Sequence, residues 1–227
     1  MNFKQQAAVQ ALKTVASGMT LGLGTGSTTT YFIEMLGEHL NQGILQNIHA
    51  VPTSEKTADL ARTLGIPLTT LEKNQIDLAV DGADDVDPQL DLIKGLGRAL
   101  LREKIVEIHA QRFIVIVDET KLVTRLAERN PLPVEIIPFQ SPATIRWLNT
   151  LCCRAEQWHE PDGSPVITDN GNFLVRCWFE EGIHDSYTLA RALADRPGVV
   201  EHGLFLGMAD QIIVAGSDGI KTMERIK

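Results

Sequence analysis

Through the first 125 residues, short apolar runs alternate with amphipathic segments, and this alternation limits the chain more than any other feature. Residues 4–16 put Ala7, Ala8, Val9, Leu12 and Val15 at helical spacing, and Gly18 can stop that helix. Met19–Leu23 reads as a strand, and Thr30–Leu40 as a helix with Tyr31, Phe32, Met35 and Leu36 apolar. Ile48–Val51 predicts a strand, and Thr53 or Ser54 can cap a helix that Gly65 and Pro67 end. Strands follow at Leu68–Leu71 and Ile76–Val80, then a helix over Arg98–Ala110 and a strand over Phe113–Val117. Short buried strands separated by helices predict a parallel sheet covered on both faces. Such sheets hold ligands at the carboxyl ends of their strands. Three polar clusters follow strands here and should converge on one edge: Gly22–Thr28, Asp81–Asp84 and Asp118–Lys121.

The pattern changes near Asn130, where Pro131, Pro133 and Pro138 punctuate the chain. Val134–Ile137 predicts a strand, Ser141–Leu151 a helix, Cys153–His159 and Phe173–Phe179 two strands, Tyr187–Ala194 a helix and Val199–Leu206 a strand. The order βαββαβ is that of the ferredoxin-like split unit. Ala209–Gly216 is a last apolar strand, expected to return to the first sheet. The expected fold class is therefore α/β. A Rossmann-like parallel sheet domain (residues 1–130 plus 207–227) would carry an inserted ferredoxin-like α+β small domain (residues 131–206).

A length of 227 residues suits one or two domains. With 29 acidic and 21 basic residues the formal charge is −8, and no basic run exceeds a pair. A nucleic-acid partner is not expected from that balance, although a local basic pocket for a small anion is compatible with it. Cys152, Cys153 and Cys177 are odd in number with two adjacent, a poor disulfide framework, and read as partly buried thiols in a reducing compartment. The first residues lack the apolar core of a signal peptide, and no apolar run nears the ~18 residues that cross a bilayer. A soluble, cytoplasmic protein without a membrane partner is expected.

The glycine-rich segment Gly22-Leu23-Gly24-Thr25-Gly26-Ser27-Thr28 lets backbone approach a ligand, and the following helix start favours anions. It is not a Walker loop, and Ser27 stands where the dinucleotide fingerprint wants its third glycine. The second strand ends in Pro52-Thr53-Ser54, without the acid that would hold a ribose, so a single phosphate fits better than NAD. Asp81, Asp84 and Asp85 could bind a metal, hydrogen-bond sugar hydroxyls, or act as acid and base. In Lys94-Gly95-Leu96-Gly97, an ammonium and flexible backbone N–H groups can face an oxyanion. In the helix after it, Leu101, Ile105 and Ile108 share one face, leaving Glu103 and Glu107 on the other, where a carboxylate is ordinarily solvated. Lys121 lies just beyond a buried strand, within reach of a phosphate at the sheet edge. The six histidines show no ligand spacing, and no Ser–His–Asp order stands out.

Taken in order, Gly22–Thr28, Val51–Glu55, Val80–Asp84, Lys94-Gly95, Leu100–Lys104, Val117–Lys121, Pro131–Glu135, Thr168–Asn172 and Pro197–Phe205 resemble the type A family of ribose-5-phosphate isomerases. The resemblance covers nearly the whole chain. It implies an aldose–ketose isomerase of the non-oxidative pentose phosphate branch, interconverting ribose 5-phosphate and ribulose 5-phosphate through an enediolate. By the same resemblance Glu103 is the general base, Lys94 the catalytic lysine, and Asp81 and Asp84 substrate-contacting acids. Substrate binding then falls on Thr25, Gly26, Ser27, Thr28, Asp81, Gly82, Ala83, Asp84, Lys94, Gly95, Leu96, Gly97 and Lys121, and also on Lys4. No cofactor and no metal are implied, and a homodimer or homotetramer is. Two departures stand out. The family's lysine loop is usually all glycine, whereas Leu96 and Arg98 interrupt it here, and a leucine with positive φ would be strained. Asp85 stands where the family usually has glutamate, with no role assigned. The rival readings are a sugar-phosphate sensor without turnover and a CoA-transferase-like enzyme with a nucleophilic glutamate.

Overall fold

The computed structural model describes residues 2–225. In chain order they form α1 (Phe3–Leu12), β1 (Thr20–Leu23), α2 (Ser27–Asn41), β2 (His49–Pro52), α3 (Glu55–Thr63) and β3 (Leu78–Asp81). Then come β4 (Asp85–Val86), β5 (Leu92–Ile93), α4 (Leu100–Ile108), β6 (Phe113–Asp118) and a 3-10 turn, Glu119–Lys121. The remainder is β7 (Leu132–Ile136), α5 (Ser141–Leu148), β8 (Arg154–Gln157), β9 (Phe173–Trp178), α6 (Ser186–Ala194), β10 (Val199–His202), β11 (Leu204–Phe205), β12 (Gln211–Gly216) and β13 (Gly219–Glu224). The chain divides into two compact units. One holds the residues up to Ala83, Arg102–Lys121 and those from Gly207 on; the other holds Asp84–Leu101 and Leu122–Leu206.

The first unit is built on a six-stranded sheet of order β13-β12-β6-β3-β1-β2, parallel except for the β12–β13 hairpin. Its four inner strands are largely apolar runs because both faces are covered: every residue of β1, β3, β6 and β12 is buried. Phe32, Ile33 and Leu36 of α2 and Ala7, Ala8 and Ala11 of α1 complete this core with Leu21, Leu23, Val80, Ile114, Ile116 and Ile213. Each Val, Leu, Ile or Phe so buried contributes about 1.5–3 kcal/mol. The chain runs from β1 to β2 on one side and then places β3 on the other side of β1. The loops after β1 and β3 therefore diverge at a topological switch point, where open parallel sheets hold their ligands.

The second unit has a four-stranded antiparallel sheet of order β10-β7-β9-β8 and a three-stranded one of order β11-β5-β4. Val134, Ile136, Val175 and Cys177 pack with Leu148 and Leu193, from α5 and α6, in its core.

The last apolar strand does return to the large sheet, lying between β6 and β13. Several boundaries differ from the sequence reading. The first helix stops at Leu12, and Gly18 adopts φ +89 in the turn beyond it. No strand forms over 68–71: Leu68 makes one bridge to Ala50, Thr69 still donates to the Ala50 carbonyl, and a turn over 71–73 then closes onto the Thr70 carbonyl. The run 199–206 is two strands in two different sheets. The change comes at Gly203, where a Cβ would stand 2.2 Å from the Lys94 carbonyl oxygen. Strands β4, β5 and β13 escaped the sequence reading. The first two have only two residues each, and β13 is an exposed edge without an apolar run. Cys152 is exposed rather than partly buried, while Cys153 is half-buried and Cys177 buried; all three are free thiols.

Candidate active site

In the first unit, the loop after β1 and the end of β3 are locked together by one carboxylate. Asp81 is 0% exposed, and its Oδ1 accepts the N–H groups of Thr25 (3.0 Å) and Gly82 (2.6 Å) and the Thr29 hydroxyl (3.4 Å). Gly24 has to be glycine for this: a Cβ there would stand 2.0 Å from the Asp81 carboxyl. Gly26 precedes α2 with φ +149, and Ser27, Thr28 and Thr29 open the helix, so their N–H groups lie at its electropositive end. The Lys4 ammonium donates to Ser27 Oγ at 2.8 Å, bringing a cation to that end. The Thr25 hydroxyl lies 2.7 Å from that of Thr53, 2.8 Å from that of Ser54 and 3.1 Å from that of Thr57. Thr57 in turn donates to the Gly24 carbonyl at 2.9 Å. The sequence reading used Thr53 and Ser54 as a helix cap, as an argument against a dinucleotide and as part of the family resemblance, but gave them no place in the site and passed over Thr57. Lys121 closes the 3-10 turn that follows β6, at the same carboxyl edge of the sheet.

Glu103 overturns the ordinary expectation for a helix carboxylate. It is 2% exposed and Glu107 is buried as well, whereas Ile105 is half-exposed and Ile108 is 66% exposed. The apolar stripe of α4 thus faces out and its acidic stripe faces in. The reason lies in β1: a Cβ at Gly22 would stand 2.9 Å from Val106 Cγ1, so the bare backbone of Gly22 admits Val106. Glu103, three residues before Val106, shares that inward face. Beside it Arg102 donates to Glu55 at 2.8 Å, and this guanidinium holds the Glu55 carboxyl below its usual range.

The second unit carries Asp84 and the lysine loop. Lys94 follows β5 directly, is 2% exposed, and places Nζ 5.4 Å from the centre of the Phe205 ring. Its N–H donates to the Gly203 carbonyl at 2.9 Å. Asp84 Oδ2 accepts the Leu96 N–H at 2.9 Å, tying the loop to the aspartate. The feared strain at Leu96 does not arise. The positive-φ positions are Gly95 (+109) and Arg98 (+69), and Arg98 closes a turn onto the Gly95 carbonyl at 2.9 Å. Such a backbone costs roughly 1–2 kcal/mol at a residue with a Cβ. The adjacent Asp85 is wholly buried and accepts from the Ala127 N–H (2.9 Å) and Asn130 (2.7 Å), a structural use that leaves it unavailable to a ligand. Among the described residues no group of three or more His, Cys, Asp or Glu is placed to hold a metal ion. No helix among them is long and apolar enough to cross a membrane.

The family model for ribose 5-phosphate isomerase A (phosphoriboisomerase A) matches residues 49–219. The ribose-5-phosphate isomerase A of Roseiflexus sp. (strain RS-1) is 52% identical over 219 residues, covering 96% of this chain and 94% of its own. That of Deinococcus radiodurans is 46% identical over 222 residues, covering 98% and 97%. A solved D-ribose-5-phosphate isomerase in complex with phospho-erythronic acid superposes with a TM-score of 0.96 at 46% identity, covering 99% of this chain and 100% of that one. The Plasmodium falciparum ribose 5-phosphate isomerase gives 0.96 at 38% identity, covering 99% of both chains. With a matched model over most of the sequence and relatives this similar over their full length, the chain belongs to the ribose 5-phosphate isomerase A family.

Proposed function

We propose that Glu103 is the proton shuttle of this isomerase, which interconverts ribose 5-phosphate and ribulose 5-phosphate. The observation that carries the reading is the burial of Glu103 on a helix whose isoleucines are left in solvent. Glutamate is seldom fully buried, and α4 turns this one inward while Ile108 of the same helix is exposed, which supports a use for the carboxylate in the site. As base, Glu103 removes the C2 proton of the open-chain aldose and returns it to C1. The enediolate formed between these steps carries negative charge on oxygen. Lys94 and the N–H groups of its loop are suited to stabilise it. Asp81 and Asp84 each commit one oxygen to a loop N–H, which fixes them for hydroxyl proton transfer and ring opening. Thr25, Gly26, Ser27 and Thr28, with Lys121 and Lys4, are assigned to the phosphate. The hydroxyl cluster and the cation on Ser27 support that choice. Phosphate held at a distance from the reacting carbons lets its binding energy align them. Gly82, Ala83, Gly95, Leu96 and Gly97 supply backbone along the substrate. The phospho-erythronic acid held by the solved relative is a phosphorylated sugar acid, in keeping with a sugar phosphate as ligand here.

Residues 131–206 are read as a ferredoxin-like small domain inserted in a Rossmann-like one formed by residues 1–130 and 207–227. The βαββαβ order and the strand order β10-β7-β9-β8 support this reading. A homodimer or homotetramer and a cytoplasmic location are part of the same proposal.

The test is Glu103→Gln, which keeps size and most hydrogen bonding. Turnover should fall by about 10²–10⁴-fold, the worth of a general base. Exchange of the C2 proton with deuterated solvent should fall in step, while binding of the substrate changes little. Near wild-type turnover and exchange would move the base to Asp81 or Asp84. Exchange persisting without turnover would assign Glu103 to a later step.

A further inference from the structure

Arg98 stands in the lysine loop where the family usually has glycine, and it keeps a left-handed backbone, φ +69, that an arginine adopts only when its surroundings hold it there. The surroundings that hold it lie on one hairpin of the second unit. The guanidinium makes a two-pronged ion pair with Glu160, Nη1 to Oε1 and Nη2 to Oε2, the latter at 3.1 Å. It also lies 5.1 Å from the centre of the Trp158 ring, against which Arg176 packs as well, at 5.4 Å. The partner side is rigid. A tight turn follows Glu160, whose N–H donates to the Ser164 carbonyl at 2.8 Å and whose carbonyl accepts the Gly163 N–H at 2.9 Å, and Asp162 caps it through the Ser164 N–H and hydroxyl. Trp158 is tied on both sides, donating to the Leu174 carbonyl at 2.8 Å and accepting from Val166 at 2.9 Å. On the other side, Arg98 is four residues from Lys94, and its N–H closes the turn onto Gly95.

We propose that Arg98, with Glu160 and Trp158, is a positioning clamp that fixes the Lys94 loop in its working shape, replacing the loop's glycine flexibility with a tether. A bare surface ion pair would be worth little. This one has a bidentate fork, an aromatic face beneath it and a backbone conformation that would relax without it, which are the features that make an arginine pair geometrically specific. Holding Lys94 and the Leu96 N–H in place before substrate arrives is pre-organisation, and its loss is felt as a slower chemical step. The inference rests on the reading of Lys94 as a catalytic group.

Three variants test it: Arg98→Gly, Glu160→Gln and the two together. Misplacement of this kind costs from a few-fold to about 10²-fold in rate. Each single change should lower kcat for ribose 5-phosphate within that range with KM nearly constant, and the double change should be no worse than the more damaging single one. Amide hydrogen exchange at Leu96 and Gly97 should quicken in all three. Unchanged kcat in Glu160→Gln, additive losses, or a rise in KM with kcat intact would each overturn the clamp; the last would place Arg98 on the substrate itself. Lys94→Ala is measured alongside. If it turns over normally, the Lys94 reading fails by itself. The clamp is then judged on exchange alone: faster loop amides in both single variants uphold the tether, and unchanged ones overturn it.

Discussion

A lysine whose chemistry is to hold an anion has a signature at the level of one residue: it should distinguish phosphorylated from unphosphorylated sugar. Lys121 ends the turn after β6, at the carboxyl edge that also carries Thr25 and the start of α2. Lys121→Ala should weaken ribose 5-phosphate binding by an amount in the range of a lost charge-assisted hydrogen bond, about 1.5–3 kcal/mol, or roughly ten- to a hundredfold. Binding of free ribose should hardly change, and titration calorimetry with both sugars reads the difference. Equal weakening of both would place Lys121 away from the phosphate. The residue scale is also where the sequence reading erred in one instructive way. Asp81, Asp84, Lys94 and Glu103 were all named from the chain alone, yet Glu103 was named against the pattern of its own helix. An apolar stripe of Leu101, Ile105 and Ile108 ordinarily points inward, and periodicity alone has no term for a helix that turns its carboxylates to the core.

At the scale of elements, α4 is oriented by a glycine on another element. Gly22 of β1 leaves room for Val106, and an alanine there would bring its Cβ to 2.9 Å from Val106 Cγ1 and 3.0 Å from Ala79 Cβ. Gly22→Ala should therefore cost about 1–3 kcal/mol, the usual penalty of overpacking. Val106→Ala in the same molecule should return part of that loss, since it removes the methyl that collides. Urea unfolding of both single variants and the pair tests this, and strictly additive losses would mean that α4 is oriented by something else. A second element carries its own pH dependence. Asp185 caps α6 by accepting the Thr188 N–H at 2.9 Å, and the Thr188 hydroxyl, followed by that N–H, holds its carboxyl below the usual range. A carboxyl lowered in the folded state adds stability above its unfolded pKa and loses it as pH falls through the folded value. Asp185→Ala should therefore lower the melting temperature at neutral pH, and the difference from wild type should close below the carboxylate range. A gap that persists in acid would show that the cap acts through packing rather than charge.

At the scale of the whole molecule, the prediction is that ribose 5-phosphate turns over with neither metal nor CoA. Its motive is a reaction that needs only a carboxylate base, an ammonium and a phosphate anchor, on a chain whose described residues bring no three metal-ligating side chains together. Full activity after dialysis against EDTA is the expected result. Activity lost to chelation and restored by a divalent ion would sink it, and a chain that binds the sugar phosphate without converting it would be a sensor rather than an enzyme. The two compact units divide the assigned residues, with Thr25–Thr28, Asp81, Glu103 and Lys121 in one and Asp84, Lys94 and Arg98 in the other. The chain passes from Asp81 to Asp84 in three steps and from Lys94 to Glu103 in nine.

What the sequence by itself determined is what local rules can carry. Short apolar runs bounded by glycine and proline gave the parallel sheet, because a strand buried on both faces has no polar alternation to show. The places where polar residues follow such runs gave the loops that assemble at the carboxyl edge, because parallel strands all end on the same side. The return of 211–216 to the first sheet was legible for the same reason. Tertiary structure alone decided the rest. The inward turn of Glu103 depends on the missing side chain of Gly22, some eighty residues earlier in the chain. The hydroxyl cluster around Thr25 depends on the pairing of β1 with β2. The ion pair of Arg98 reaches Glu160, on a hairpin about sixty residues further on. Each is a contact between residues far apart in the chain, whose energy is set by the distance between them in space and by nothing that spacing along the chain records.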